Sequence, residues 1–279
     1  NSPAEQHDLR SHLATADMAA MLAHAYLIYK DIPVYADFAE TCLETSLRAW
    51  DWVTDSENSQ HQSIGAANRT YTYKQEELDR IGRGMEAIRS VAPEVPVSVD
   101  TFRASVAHAA VSEMGCDIVN DISGGLLDGD MAQTVAGLGC PYILMHMRGT
   151  PATMQQLTDY GGDVVAAVLG ELAAAVHRFT QAGVADIIID PGFGFAKTLE
   201  QNYRLMARLP EFRIFGLPLL VGISRKSMLT KLLGISADEA LNATTALNAY
   251  ALDRGADILR VHDVRAGRQA VDVYCQLQA

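Results

Sequence analysis

The chain is poor in cysteine: Cys42, Cys116, Cys140 and Cys275 are widely spaced and form no C-x-x-C pair. That distribution argues against a zinc site or a disulfide framework and makes reduced thiols the default expectation. No lysine-rich tract offsets the formal net charge of -12, which argues against a nucleic-acid-binding surface. Residues 1–10 are polar, without the apolar core of a signal peptide, and no run long enough to span a membrane follows. The expectation is a soluble, cytoplasmic protein with no membrane partner. Internal repeats, low-complexity tracts and Pro/Gly/Ser linkers are also missing. With 49% hydrophobic and 20% charged residues the composition is that of a globular protein, read as one domain over residues 1–279.

What is present, from Val95 onward, is an alternation of two textures. Short apolar or β-branched runs (97–99, 117–119, 142–145, 187–189, 219–221 and 258–261) read as strands. Alanine- and leucine-rich stretches of helical period, such as 104–114, 164–182, 199–209 and 240–254, lie between them. Strand–helix alternation implies right-handed βαβ units and a parallel sheet. Six units follow Val95, and eight would close a (β/α)8 barrel of the TIM type, so the first 94 residues are expected to supply two more. They do so weakly, with candidate strands at 25–29 and 63–66, a candidate helix at 36–53, and an amphipathic helix at 76–89.

Each apolar run ends in a chemically active group. These ends are Asp100-Thr101, Asn120-Asp121, His146-Met147-Arg148-Gly149, Asp190-Pro191-Gly192, Ser224-Arg225-Lys226 and Arg260-Val261-His262-Asp263. In a parallel barrel the C-terminal strand ends converge on one face, where active sites are built. Turn-forming and capping roles explain any one Asp, Asn or Gly, but not Lys226, Arg260 and His262 together. Asp100, Asn120 and Asp190 suit a flat heterocycle with N–H and amino groups, a carboxylate matching an amidine-like edge. Arg225, Lys226, Arg260 and His262 form a cationic group suited to phosphate or carboxylate, unless internal ion pairs with Asp100, Asp121 and Asp263 occupy them. The stretch Gly192-Phe193-Gly194-Phe195-Ala196-Lys197 lacks the third glycine and the GK[ST] ending of nucleotide loops. It reads instead as a tight loop beside a ligand, with Phe195 as an apolar wall. Met145 and Met147 read as packing residues, and His108 and His177 as structural or exposed.

These blocks, in order and at matching spacing, resemble the signature blocks of the dihydropteroate synthase family, from Ser98 through Ile258-Leu259-Arg260-Val261-His262-Asp263-Val264. The resemblance implies a (β/α)8 barrel and a transferase that joins 6-hydroxymethyl-7,8-dihydropterin pyrophosphate to p-aminobenzoate, giving 7,8-dihydropteroate and pyrophosphate. It implies that Asp100, Asn120, Asp190 and Lys226 hold the pterin, with Met145, Phe195 and Gly222 lining its pocket. Ser224 and Lys226 would lie near p-aminobenzoate, and Arg260 and His262 would take the pyrophosphate, usually with Mg2+. Asp100, Lys226, Arg260 and His262 are then the catalytic set, and a homodimer through the last helices is expected.

The N-terminal third departs from the pattern. The family's Asn-x-Thr-Pro-Asp-Ser-Phe block is replaced by Leu27-Ile28-Tyr29-Lys30-Asp31-Ile32-Pro33, and its Gly-x-Ser-Thr-Arg-Pro-Gly block by Ile64-Gly65-Ala66-Ala67-Asn68-Arg69-Thr70. Arg69 is the stand-in for the second-loop arginine, and the first-loop asparagine that helps hold metal has no counterpart, so the metal ligands are unassigned. Three readings follow: an active synthase, a pterin-binding paralogue without turnover, and a pterin-dependent methyltransferase. The cationic blocks favour the synthase, because methyl transfer needs no pyrophosphate site.

Overall fold

Runs such as Tyr142-Ile143-Leu144-Met145 and Ile187-Ile188-Ile189 are apolar without alternation, as strands covered on both faces require. The computed structural model describes residues 66–278, with 66–73 by their backbone alone. The chain divides into two compact units, Asn1–Val95 and Pro96–Ala279. In the first, the described part is a long helix, α1 (Ala66–Val91), followed by a turn.

The second unit repeats strand and helix six times. Its order is β1 (Ser98–Asp100), α2 (Ala104–Ser112), β2 (Ile118–Asp121), α3 (Met131–Leu138), β3 (Tyr142–Met145), α4 (Val164–Ala182), β4 (Ile187–Asp190), α5 (Leu199–Ala207), β5 (Leu220–Gly222), α6 (Ser227–Leu233), α7 (Leu241–Asp253), β6 (Ile258–Arg260) and α8 (Val264–Gln278). Strands β1 to β4 pair in parallel in chain order, as do β5 and β6. A bridge between Ile189 and Leu219 joins β4 to the segment entering β5. The register matters most for function. Asp100 lies opposite Asn120, Met145 opposite Asp190, and Gly222 opposite Arg260, so the polar strand ends fall in line along one edge.

The core lies between the strands and their helices. Val119, Tyr142, Ile189 and Val221 are fully buried, as are Val106, Val135, Val165, Phe179 and Leu205 from the helices. Burying each such side chain contributes about 1.5–3 kcal/mol. Tyr142 stacks on Phe179 with ring centroids 4.3 Å apart and donates its hydroxyl to Asp121 at 2.8 Å. Asp121 also accepts from the Ser123 amide and hydroxyl and the Gly125 amide, which turns the chain sharply after β2. Asp163 caps α4 by accepting from the amides of Val165 and Ala166, and a Thr198–Gln201 capping box starts α5.

Strand β3 and helix α4 have the bounds expected from the pattern, and most other elements differ by one or two residues. The helix expected over 199–209 stops at Ala207, and a 3-10 segment, Leu209–Phe215, takes over where Pro210 offers no amide hydrogen. The strand expected at 63–66 is corrected at its only described residue, because Ala66 opens a helix that runs unbroken through the expected 76–89 segment. The expected elements at 25–29 and 36–53 lie outside the described residues.

Gly192 is held at φ +71, and a Cβ there would stand 1.9 Å from the His146 carbonyl oxygen. Gly192→Ala should therefore destabilise the protein by about 3 kcal/mol or more. Gly82→Ala, inside α1 with nothing within 4 Å of the added carbon, should stabilise it by up to about 1 kcal/mol. Urea unfolding of the two variants checks both signs.

Candidate active site

Asp190 ends β4, is 6% exposed, and accepts from the Gly192 amide at 2.8 Å. Burial pushes its carboxyl up from the ordinary range. Lys226 opposes this most, then the Gly192 amide, Lys197 and Arg260. Lys226 follows β5, aimed back across the strand ends by a turn in which Arg225 adopts φ +53. Its ammonium donates to the Phe193 carbonyl at 2.5 Å and lies 4.9 Å from the centre of the Phe195 ring. Burial pulls the Lys226 pKa down, and Asp190 holds it up.

On the other side of the edge, the Asn120 side-chain amide donates to Asp100, and Arg260 donates to the second Asp100 oxygen at 2.7 Å. The Asp100–Arg260 pair joins the ends of β1 and β6 with each side chain about half exposed (51% and 52%), so exchanging it for a ligand costs little. Met145, the last residue of β3, is 4% exposed. Gly222 is buried against the Arg260 side chain, where a Cβ would touch it at 3.5 Å.

A cleft of about 340 Å3 is lined by Gly222, Ser224, Arg225, Lys226, Ala237, Arg260 and His262. The Ser224 hydroxyl accepts the His262 backbone amide at 3.1 Å, which ties the loops after β5 and β6 together. Partial burial, and then the Arg260 guanidinium, lower the His262 pKa. Arg225 takes the ion-pair alternative. It forks onto Asp263 at 2.7 and 3.0 Å and reaches Asp238 at 3.1 Å, so its charge is spent on holding the β5 and β6 loops. Arg69 falls in the opening turn of α1, in the other unit, and its side chain lies outside the described residues.

The pattern of strand ends did not single out a further buried network behind this edge. Lys197 is 4% exposed, and its Nζ donates to the Gly192 and Phe195 carbonyls and to His146 Nδ1, all at 3.0 Å. His146 Nε2 in turn meets Glu171 at 2.9 Å, and Glu171 also pairs with Arg148. A carboxylate at Nε2 fixes the proton there and leaves Nδ1 as the acceptor. His146, not Met145 or Met147, is thus the polar member of its strand-end block, and the lysine three residues beyond Gly192-Phe193-Gly194 is the signal for its buried partner.

Parallel strands that gather two carboxylates and an amide beside a cationic cleft define a barrel enzyme for a nitrogen-rich heterocycle that carries an anion. Residues 64–262 match the family model of pterin binding enzymes. The dihydropteroate synthase of Synechocystis is 45% identical over 215 residues, covering 76% of this chain and 73% of that protein. The Escherichia coli enzyme is 43% identical over 201 residues, covering 71% and 70%. Among solved structures, dihydropteroate synthase from Thermus thermophilus in complex with 4-aminobenzoate aligns with a TM-score of 0.65 at 41% identity, covering 69% of this chain and 74% of that one. The Yersinia pestis enzyme in a sulfonamide drug complex aligns at 0.69 and 37% identity, covering 73% and 74%. The chain belongs to the dihydropteroate synthase family, and its fold is a (β/α)8 barrel with six βα units among the described residues. Residues 4–82 also match the family model of glycosyl hydrolase family 9, overlapping the pterin match at 64–82.

Among the described residues, no three His, Cys, Asp or Glu side chains converge as a metal-ligand set. The chemistry assigned to these residues does not pass through a metal ion. No helix among them is long and apolar enough to cross a membrane.

The buried network makes stability pH-dependent. Burial lowers the His146 pKa from 6.5 to about 4, and the His146 and Arg148 contacts hold Glu171 near 2 against an ordinary 4.5. In both cases the unfolded chain takes up the proton first, so each stabilising contribution is present at neutral pH and is lost on acidification. Stability should fall from pH 6.5 towards 4 and again below 4.5. His146→Gln should flatten the first of these slopes in chemical denaturation measured across that range.

Proposed function

We propose that the chain is a transferase that condenses 6-hydroxymethyl-7,8-dihydropterin pyrophosphate with p-aminobenzoate to 7,8-dihydropteroate and pyrophosphate. The observation that carries this reading is the buried Asp190 carboxylate beside Lys226, next to a cleft lined by Ser224, Arg260 and His262. Solved structures of the Thermus thermophilus synthase in complex with 4-aminobenzoate and with 6HMPPP support the substrate pair.

In this reading the ionised Asp190 accepts the paired N–H groups of the pterin's amino-substituted edge. Asp100 and Asn120 bond to the other ring edge, while Met145, Phe195 and Gly222 line the pocket and Lys226 donates to a ring acceptor. Arg260 leaves Asp100 for the pyrophosphate, where His262 joins it. A largely neutral imidazole is suited to take up a proton as an anion arrives. The methylene C–O bond breaks, and its electron pair leaves with pyrophosphate. The developing cation is stabilised by the nearby carboxylates, and the aromatic amine held near Ser224 and Lys226 attacks the methylene carbon and loses a proton. The demand is for electrostatic stabilisation at both ends rather than for a strong base.

Mg2+ is proposed as an aid to pyrophosphate, by family membership and not from a ligand set. A cytoplasmic location suits the free thiols of Cys140 and Cys275. A homodimer suits the exposed Leu241, Tyr250, Val273 and Leu277 on α7 and α8.

A second reading, pterin binding without turnover, is favoured by one observation: the pterin-binding match begins at residue 64, and the family's Asn-x-Thr-Pro-Asp-Ser-Phe block has no sequence counterpart. Calorimetric titration with the pterin pyrophosphate, then p-aminobenzoate and a pyrophosphate assay, separates the two. Release of pyrophosphate establishes the synthase, and binding without release establishes the second reading. Asp190→Ala and Lys226→Ala should each abolish pterin binding, and unchanged affinity in either would sink the pocket assignment. His262→Ala should weaken the pyrophosphate ester while sparing the bare pterin, a split the same titrations resolve.

A further inference from the structure

The loop 191–198 carries Gly192, Phe193 and Phe195 past the end of β4 and has two left-handed positions, Gly192 and Gly194, plus a third at a non-glycine, Ala196, with φ +51. Such a path is uphill for an L-residue and persists only where its surroundings hold it. Lys197 supplies much of that hold. Three acceptors, the Gly192 carbonyl, the Phe195 carbonyl and His146 Nδ1, stand 3.0 Å from its Nζ and match the three N–H bonds of an ammonium. The outer side of the loop is fastened as well: the Tyr160 hydroxyl donates to the Ala196 carbonyl at 3.0 Å and the Gln155 amide to the Gly194 carbonyl at 3.1 Å.

We propose that Lys197 is a positioning residue for pterin recognition: its buried ammonium, fixed by His146 and Glu171, braces the loop that shapes the pocket and supplies positive potential behind the Asp190 carboxylate. The proposal rests on the pterin reading of Asp190. Its geometry separates two lysines by task. Lys226 reaches Phe193 and Phe195, whereas Lys197 is 4% exposed with its three N–H groups taken by Gly192, Phe195 and His146. The charged groups facing Asp190 are Lys226, Lys197 and Arg260, and those facing Lys197 are Asp190, Lys226, Glu171 and Arg148, with His146 as its neutral partner. Burial lowers the Lys197 pKa to about 7, with Asp190 and Glu171 resisting, which agrees with a charge held in place only by its partners. Without that charge, Asp190 keeps its proton to higher pH and loses its match to the pterin's N–H edge.

The test is calorimetric titration of the full chain with 6-hydroxymethyl-7,8-dihydropterin between about pH 5 and 8. Lys197→Met should bind the pterin about ten-fold more weakly at neutral pH. The acid limb of its affinity profile should lie at higher pH than in the unaltered chain. Equal weakening at every pH would overturn the proposal, since loosened packing alone gives that result, and unchanged affinity would overturn it too. If Lys197→Met does not fold, Glu171→Ala decides. Glu171 is 40% exposed, and its loss should weaken binding in the same direction by a smaller factor with the same displacement of the acid limb. Affinity and profile unchanged in that variant would overturn the relay. Failure of the unaltered chain to bind the pterin would instead remove the pterin reading and this inference with it.

Discussion

A carboxylate can leave water only where something replaces the water, and the end of β4 is organised around that requirement for Asp190. The replacement comes from three directions: the Gly192 amide in the same turn, Lys226 from the loop after β5, and Lys197 from the loop after β4. Each imposes a further condition. The Gly192 amide can face Asp190 only if the chain passes so close to the His146 carbonyl that no side chain fits. Lys226 reaches across only because Arg225 accepts a left-handed backbone, which its fork onto Asp263 and the hydrogen bond its amide donates to the Thr244 hydroxyl hold in place. Lys197 can be buried only because His146 and two carbonyls take its hydrogens. Gly192, Arg225 and Lys197 thus owe their strain or burial to a common cause.

The rest of the site is built on a weaker and exchangeable interaction. Asp100 and Arg260 neutralise each other across the strand edge while both remain half exposed, a pair worth little in stability. The proposed function uses that weakness, because a ligand that offers N–H groups to Asp100 and an anion to Arg260 replaces both halves at once. The chain's net charge of -12 does not oppose an anionic ligand. Lys226, Arg260 and His262 line one cleft, and the local field decides.

The strand ends were legible because a parallel barrel makes position along the chain equivalent to position on a face. Asp100, Asn120, Asp190 and Arg260 each close an apolar run, and the register puts them in line. The partners of these groups were less legible. Arg225 carries the same charge as Lys226 next to it, and only the coordinates show that one is tied to Asp263 and Asp238 while the other faces Asp190. The link from Lys197 through His146 to Glu171 spans 51 and 25 residues, and periodicity holds no information about contacts at that range. Before residue 64 the difficulty is of another kind. That stretch matches a different family model over 4–82, so a barrel pattern sought there meets a sequence of other character. Ala66, which lies in both matches, fits the end of an expected strand and begins a 26-residue helix instead.

This division bears on what binding and turnover each require. In the proposed function, recognition of the heterocycle draws on β1, β2, β4 and the loop after β5, and the two residues assigned to the leaving group, Arg260 and His262, come from β6 and the loop after it. All of these lie within the stretch matched to pterin binding enzymes. Bond cleavage that runs ahead of amine attack places its largest demand on the departing anion, whose charge grows as the C–O bond lengthens. Recognition can therefore persist on these six units while the rate depends on whatever else meets that growing charge. A loss of leaving-group stabilisation of about 1.4 kcal/mol slows cleavage ten-fold and leaves the grip on the pterin ring untouched. The two readings of this chain differ in that quantity, not in the pocket, and pyrophosphate release is the observable that reports it.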